Sequence, residues 1–253
     1  MIVNSVQGKS PRWYDKEGNA VYEVIGKNGK PKAPTIREAK EQNFYPSVTT
    51  IIGQISKPGL EKWKISQAII SALTLPRNEG ELDQDFAERV ARDSQEEGKA
   101  AALKGTDIHS ALETYIKTNV VPSGAENLCL SYNNFMEQFK VRLGSLQTEF
   151  KATNTELGYG GRGDLAFWDE ISMSPIVVDF KSQDIGKKAN FYDDWGMQIA
   201  AYGTAIYDLP FRGFSLVFDR TTGAAESKEW TDLDTDMDKF LCLLKYFQLE
   251  KRL

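Results

Sequence analysis

The residues best suited to chemistry lie in the stretch GGRGDLAFWDEISMSPIVVDFKSQ, residues 160–183. Asp164 follows a glycine-rich run, and Asp179 and Lys181 stand two positions apart at the end of the apolar run PIVVDFK. Because residues i and i+2 of a β-strand point to the same face, Asp179 and Lys181 share one face of a predicted strand. Taken alone, such a pair is most simply a partly buried salt bridge.

Asp164 changes that interpretation. The intervening segment DEISMSP is a turn that lets the two strands pair and brings Asp164 close to Asp179. Two adjacent carboxylates repel unless a proton or a cation lies between them. A hard divalent cation with oxygen ligands satisfies both, so the spacing predicts a metal site on this strand pair. The glycines before Asp164 predict a strand that another backbone or a ligand can approach closely.

The elements that hold these residues follow from the pattern of apolar residues. From about residue 125 onward, the sequence predicts a helix, three strands, a helix, two strands and a closing helix. This order indicates an α/β fold with a mixed central β-sheet, in which sequential strands pair and helices flank the faces. The predicted core covers residues 121–253.

The residues before this core predict an N-terminal β-hairpin and a helical region over 1–120, which includes the helix of His109 and packs with the core as one compact unit. The hairpin is predicted over residues 11–26, where two aromatic and β-branched runs flank DKEGN. Ser47 is a predicted helix N-cap, and the segment GLEKWKISQAIISAL has helical spacing. A long helical tract over about 83–118 is expected to bend at one of its glycines, Gly98 or Gly105.

Composition excludes several classes of protein. The 253 residues are 41% hydrophobic and 26% charged, as in ordinary globular proteins. No apolar run is long enough to span a membrane, and the N-terminus lacks the apolar core of a secretory signal, which predicts a cytoplasmic protein. Two cysteines, Cys129 and Cys242, are too few for a four-thiolate metal or iron–sulfur site, and both are expected to be buried.

The net charge of −5 is unevenly distributed. Residues 1–40 contain eight Lys or Arg and four Asp or Glu and carry +4, so the remaining 213 residues carry −9. A basic N-terminal segment with an acidic metal pocket gives this distribution, and so does an ordinary solvated surface. The distribution of charge therefore does not by itself identify the binding partner.

Taken together, the motifs resemble those of the PD-(D/E)XK nuclease superfamily, in its RecB-like exonuclease branch. That branch has a Gly-x-x-Asp strand, an Asp-x-Lys strand, a Gln-x-x-x-Tyr helix and an upstream histidine on a helix. The matching residues are Asp164, Asp179, Lys181, Gln198, Tyr202 and His109, which is the only histidine in the chain. Glu149 resembles a further acid on the strand before the first aspartate. The segments YPSVTTII and KPGLEKW are also similar to those of phage exonucleases and mitochondrial genome maintenance exonucleases.

The resemblance implies a restriction-endonuclease-like core and a role for each matching residue. The implied ligands of Mg²⁺ or Mn²⁺ are His109, Asp164, Asp179 and the carbonyl oxygen of Phe180. Lys181 would orient the attacking water or stabilise the charged transition state. Gln198 and Tyr202 would border the site and contact the lysine or the nucleic-acid backbone, with Glu149 in a supporting role.

The expected function is a metal-dependent DNA exonuclease that hydrolyses phosphodiester bonds in replication, recombination or repair. Its expected substrate is single-stranded DNA with free ends, which a basic hairpin and a helical cover would thread into the cleft. The alternatives are a structure-selective or restriction-type endonuclease, and a non-catalytic DNA-binding module on a nuclease fold. Replication or recombination proteins are possible partners, and the host cytoplasm is the expected location if the chain is phage-encoded.

Overall fold

A computed structural model describes residues 11–253, except for the side chains of residues 97, 100 and 101. The first ten residues of the predicted basic segment therefore lie outside the described part. The described chain folds into two compact units. One comprises the residues up to Gln54 together with Ile108–Leu253, and the other is Ile55–Asp107. Within the described part, no helix is both long and apolar enough to cross a membrane.

The elements follow one another in the order that the sequence predicts from about residue 125. The described strands are β1 Trp13–Tyr14, β2 Ala20–Val21, β3 Val24–Ile25, β4 Pro31–Lys32, β5 Tyr45–Pro46, β6 Gln147–Lys151, β7 Arg162–Asp169, β8 Ser174–Gln183, β9 Arg212–Asp219 and β10 Ala225–Trp230. The described helices are α1 Ile36–Glu41, α2 Val48–Ile52, α3 Pro58–Thr74, α4 Asp83–Asp93, α5 Glu96–Thr118, α6 Glu126–Met136, α7 Asp193–Ile206 and α8 Leu233–Lys251.

A mixed five-stranded sheet with the order β10-β9-β8-β7-β6 is the centre of the first unit. Its neighbouring strands are antiparallel except for β8 and β9, which are parallel. A parallel pair needs a crossover connection, and α7 lies in the connection between these two strands. The predicted α/β class and the mixed sheet are confirmed.

Helices cover both faces of this sheet because the central strands are apolar on both sides. On one face, Leu165 and Phe180 belong to a buried cluster with Leu112 of α5 and Tyr132 of α6. On the opposite face, α7 packs against β8 and β9 and also against α8. Burying apolar surface contributes roughly 25 cal/mol per Å², so this two-sided core fixes the position of the central strands.

The N-terminal strands form a small sheet with the order β2-β1-β5. The predicted hairpin is confirmed as β1 and β2, and its Trp13 and Tyr14 are buried. Two main-chain hydrogen bonds join this region to the segment that leads into β7. The Gly160 N–H donates to the Pro46 carbonyl at 3.0 Å, and the Val48 N–H donates to the Gly160 carbonyl at 2.8 Å. The N-terminal residues therefore belong with the central sheet, so the predicted division near residue 120 differs from the division in the structure.

The second unit is helical and contains α3, α4 and the first half of α5. The Arg89 guanidinium donates two hydrogen bonds to the Glu81 carboxylate, both at 2.9 Å, and one to the Pro76 carbonyl at 2.7 Å. These bonds tie the connection between α3 and α4 to α4 itself. The helical spacing predicted for α3 is confirmed, but several of its apolar side chains are exposed, including Leu73 and Ile65.

Two further expectations concern the long helical tract and the cysteines. The tract is interrupted at residues 94–95, between α4 and α5, and α5 is helical through Gly98 and Gly105, whereas a bend at either glycine stays a prediction. A glycine costs only about 1 kcal/mol relative to alanine inside a helix, which neighbouring helical residues offset. Cys129 is buried as expected, but Cys242 is exposed.

Candidate functional site

Three carboxylates form a row across three adjacent strands of the central sheet. The ladder between β6 and β7 pairs Thr148 with Leu165 and Phe150 with Gly163, so Glu149 of β6 comes at the level of Asp164 of β7. The β7–β8 ladder ends at the pair of Leu165 and Val178. Asp164 of β7 precedes Leu165 and Asp179 of β8 follows Val178, so both stand just beyond this end of the ladder. Residues opposite one another in a sheet have neighbouring side chains, and like charges in that arrangement destabilise it. The row therefore needs positive partners.

Asp164 has one cationic and one backbone partner. Its Oδ1 lies 3.0 Å from His109 Nδ1, and its Oδ2 accepts a hydrogen bond of 2.6 Å from the Phe180 N–H. Burial by itself raises the pKa of Asp164, but the charges of His109 and Lys181 outweigh burial and hold the pKa below its usual value. Asp164 is therefore ionised at neutral pH.

Asp179 is held by two side chains. The Lys181 ammonium lies 2.5 Å from Asp179 Oδ2, and the Gln198 amide donates to Asp179 Oδ1 at 2.9 Å. No aligned hydrogen-bond donor for Oδ2 is present among the described residues. Burial raises the pKa of Asp179 to about 6, and the neighbouring Asp164 acts in the same direction, whereas Lys181 opposes both. A carboxylate with a raised pKa, set in a cluster of charges, is typical of functional sites.

The helix α7 positions Lys181 through Gln198. The Lys181 ammonium donates to Gln198 Oε1 at 3.0 Å, and Gln198 Nε2 also lies 3.1 Å from the Tyr202 hydroxyl. Gln198 and Tyr202 are separated by four residues and lie on the same side of α7. The two residues of the predicted helix motif therefore lie beside the predicted aspartate and lysine.

Gly160 is approached by the backbone of Pro46 and Val48, as the sequence predicted, whereas Gly161 and Gly163 make room for aromatic rings. A Cβ at Gly161 would lie 2.4 Å from the Tyr202 ring, and a Cβ at Gly163 would lie 2.1 Å from the Phe150 ring. Each ring occupies the space that a side chain would fill. The glycine-rich run is thus explained by one backbone approach and by the packing of two rings around the site.

Glu149 has an unusual backbone. Its φ of 51° lies in the left-handed region, which residues with a Cβ adopt at a cost. Its carboxylate lies 2.6 Å from the guanidinium of Arg162, which is two residues before Asp164 on β7. Burial raises the pKa of Glu149, and the charge of Asp164 adds to that effect. Strained residues that persist next to a cluster of charges are often functional.

His109, Glu149 and Asp164 are close enough to share one ion, because their ligand atoms all lie within 4.8 Å of one another. Ligand atoms on opposite sides of a small divalent cation are about 4 to 5 Å apart. One imidazole and two carboxylates suit Mn²⁺ or Mg²⁺. The residues present therefore fit a divalent cation.

Burial lowers the pKa of His109, but the Asp164 carboxylate more than compensates and raises it to about 9. At this pKa His109 is protonated at neutral pH and forms an ion pair with Asp164. An imidazole binds a metal only after losing this proton.

The grouping differs in part from the predicted ligand set. His109 and Asp164 lie together as expected, and Glu149, predicted only as a supporting acid, lies with them. Asp179 lies beside this group but is engaged by Lys181 and Gln198. Phe180 contributes its backbone N–H to Asp164, and its ring packs edge-to-face on Tyr132, whereas a ligand role for its carbonyl stays a prediction.

Sequence reasoning missed two residues at the site, Arg162 and Trp195. Arg162 pairs with Glu149, and the Lys181 ammonium lies 5.6 Å from the centre of the Trp195 ring. Arg162 stands in the quoted motif itself, two residues from Asp164, which is the same-face spacing of a strand. Trp195 stands one turn before Gln198 on the motif helix, so in both cases the spacing was available as a signal.

No protein family and no curated protein matches this chain. Among solved structures, one described as the crystal structure of SSO0001 aligns with 75% of this chain and 87% of its own chain, at 13% identity and a TM-score of 0.33. A similarity this weak carries no argument about fold or function.

Proposed function

We propose that the protein is a metal-dependent deoxyribonuclease that hydrolyses phosphodiester bonds, built on a restriction-endonuclease-like core. The observation that carries the proposal is the row of Glu149, Asp164 and Asp179, with His109 on one side and Lys181 on the other. The alternative, that these charged residues form only structural salt bridges, fits less well. Structural carboxylates are normally satisfied by backbone donors, whereas Asp179 depends on the side chains of Lys181 and Gln198 and keeps a raised pKa.

His109, Glu149 and Asp164 would hold Mg²⁺ or Mn²⁺, with Asp179 adjacent. The bound cation would lower the pKa of a coordinated water and offset negative charge on the phosphate. In the protein itself, Lys181 places an ammonium beside Asp179, from where it can donate to a phosphate oxygen as charge develops there. Gln198 keeps the ammonium directed into the site through the 3.0 Å hydrogen bond.

The proposed substrate is single-stranded DNA with a free end, and the proposed process is replication, recombination or repair. The proposed location is the cytoplasm, which is the host cytoplasm if the chain is phage-encoded. The hairpin does not supply the aromatic contacts expected of it, because Trp13 and Tyr14 are buried in the small sheet. Its exposed Arg12 and Lys16 are available for phosphate contacts, and the role of the helical unit as a cover stays a prediction.

The test is incubation of end-labelled linear single-stranded DNA with Mg²⁺, Mn²⁺ or EDTA, with product lengths resolved over time. A covalently closed circle of the same sequence is the matched substrate. We expect metal-dependent digestion of the linear strand and little digestion of the circle. Efficient digestion of the circle would identify an endonuclease instead, and binding without any cleavage would identify a DNA-binding module.

A further inference from the structure

Three aromatic side chains form a surface at the start of α7, which we call the aromatic surface: Phe191, Tyr192 and Trp195. The Tyr192 and Trp195 rings meet edge-to-face with centroids 5.2 Å apart, and Phe191 and Trp195 do the same at 6.3 Å. Tyr192 is 54% exposed, and Phe191 and Trp195 are half-buried. Apolar ring faces are thus open to solvent at one place.

This surface lies directly beside the candidate catalytic lysine. The Lys181 ammonium is 5.6 Å from the Trp195 ring centre, a distance at which a cation is attracted to the ring. Trp195 also precedes Gln198 by three residues on α7, so both side chains lie on neighbouring turns of one helix side. A nucleotide whose phosphate reaches Lys181 would place its base near these rings.

The segment before the aromatic surface is held in place by hydrogen bonds. Gln183 at the end of β8 donates to the Asn190 carbonyl at 2.7 Å and accepts from the Asn190 N–H at 3.0 Å. The Ala189 N–H donates to Glu226 of β10 at 3.0 Å. The rings are therefore positioned before any ligand arrives, which reduces the entropy lost on binding.

The charges around the aromatic surface indicate which part of a nucleotide it would contact. Asp193 follows Tyr192 and is exposed, so its charge would repel a phosphate. Lys187 and Lys188 are exposed and precede the rings. Phosphates would therefore be favoured at the lysines, and the uncharged face of a base would be favoured at the rings.

We propose that the aromatic surface stacks an unpaired nucleobase next to the phosphate held by Lys181, and so selects single-stranded or frayed ends. The proposal rests on the proposed nuclease function and specifies its substrate. Bases paired within a blunt duplex are stacked on each other and cannot offer a free face, whereas every unpaired base can stack.

The test uses the Asp179→Asn protein in EDTA, so that binding is measured without cleavage. Binding of a fluorescently labelled single strand and of a blunt duplex is followed by anisotropy, and a terminal 2-aminopurine reports stacking through quenching. Adding Tyr192→Ala should weaken single-strand binding about 5- to 100-fold and remove the quenching, with little change for the duplex. Tyr192→Phe keeps the ring and should bind like the parent protein.

Tyr246→Ala is the matched control, because Tyr246 is 56% exposed but lies on α8. It should leave both affinities unchanged. The salt dependence of binding should stay the same in Tyr192→Ala, since no phosphate contact is lost, and should decrease when Lys187 and Lys188 are replaced by alanine.

The outcomes separate the two proposals. If wild-type protein cleaves DNA but Tyr192→Ala binds single strands as tightly as the parent, the stacking proposal is wrong and the nuclease proposal stands. If single strands bind through Tyr192 but no cleavage occurs with any metal, stacking stands and the nuclease proposal fails. If wild-type protein neither binds nor cleaves, both are wrong.

Discussion

Two pairs of buried or partly buried aspartates lie on the same central sheet in very different surroundings. Asp169 ends β7 and Asp219 ends β9, and each accepts three backbone N–H hydrogen bonds and one hydroxyl hydrogen bond. These fixed neutral donors hold the pKa of each carboxyl down, at about 2, against the opposing effect of burial. We call these residues the turn pair.

Asp164 and Asp179 lie inside the sheet and have few such donors. Together they accept one backbone N–H, from Phe180, and otherwise depend on the side chains of His109, Lys181 and Gln198. We call these residues the site pair. Side chains can change partners, whereas the amides of a turn cannot. The difference between the pairs suggests that the turn pair completes the fold and the site pair is kept available for a cation.

The largest expected effect comes from replacing one member of the site pair. Asp179→Asn should reduce metal-dependent cleavage at least about 100-fold, because the site loses a carboxylate charge. The metal-free protein should keep its stability, since burial raises the pKa of Asp179 to about 6 and its charge is disfavoured in the folded chain. Initial cleavage rates and thermal unfolding in EDTA measure the two effects.

Asp169→Asn is the matched control and should give the opposite result. It places an amide donor against backbone donors, which should destabilise the protein by about 1–3 kcal/mol while leaving cleavage intact well below the melting temperature. The distinction between the pairs is wrong if the folded Asp169→Asn protein loses cleavage, or if Asp179→Asn cleaves normally.

Lys181→Ala tests the site pair further. It removes the ammonium that stabilises these carboxylates, a role that backbone amides have in the turn pair. An ammonium cannot bind a metal, so calorimetry should give Mn²⁺ affinity that is unchanged or higher. Single-turnover cleavage should nevertheless fall about 100-fold, since Lys181 is expected to act on the phosphate. Loss of Mn²⁺ binding in a folded variant would assign Lys181 to holding the acids instead.

His109→Ala should weaken Mn²⁺ binding roughly tenfold or more and lower cleavage at limiting Mn²⁺, without unfolding the protein. Glu113→Gln is its control, because Glu113 lies one turn later on α5 and pairs with Lys117. It should bind Mn²⁺ like wild type. Unchanged affinity in His109→Ala would return this histidine to a structural role.

Local pattern was enough to predict the central strands and the acids of the site. The run PIVVDFK has the apolar, β-branched composition of a buried strand, and the acids and lysine stand at same-face spacing within it. The pairing of β7 with β8 followed from the short turn between them. Each of these inferences needed only residues that are close in sequence.

Features that depend on distant residues were not predicted. The aromatic rings that fill the space beside Gly161 and Gly163 come from α7 and β6, and no local signal identifies them. Likewise, the place of Glu149 in the cluster depends on the β6–β7 register. The exposure of Cys242 depends on which side of α8 meets α7, and its sequence neighbours alone do not determine this.

Lowering the pH should also distinguish the turn pair from the site pair, with a smaller effect than the substitutions above. The turn pair has pKa values of about 2 in the folded protein, below the ordinary value of about 3.9 for an unfolded aspartate. The pair therefore contributes stability above about pH 4, and this contribution is lost as the pH falls from about 5 toward 2. Urea unfolding at pH 7, 5 and 3.5 should show the gap between wild type and Asp219→Asn shrinking with acidity. If the difference in unfolding free energy between wild type and Asp219→Asn is constant with pH, the pKa of Asp219 is not lowered in the folded protein.

The smallest expected effect concerns the backbone of Glu149, the third acid of the row. In a regular strand, alanine is more stable than glycine, but a φ of 51° penalises any residue with a Cβ. Glu149→Gly should therefore be about 1 kcal/mol more stable than Glu149→Ala in urea unfolding without metal. Both variants lose the carboxylate, so calorimetry should show the same loss of Mn²⁺ affinity in each. If alanine is the more stable, the backbone is not strained there. If Mn²⁺ binds both variants as tightly as wild type, Glu149 is not part of the metal site, and the strain at this position has a purely structural origin.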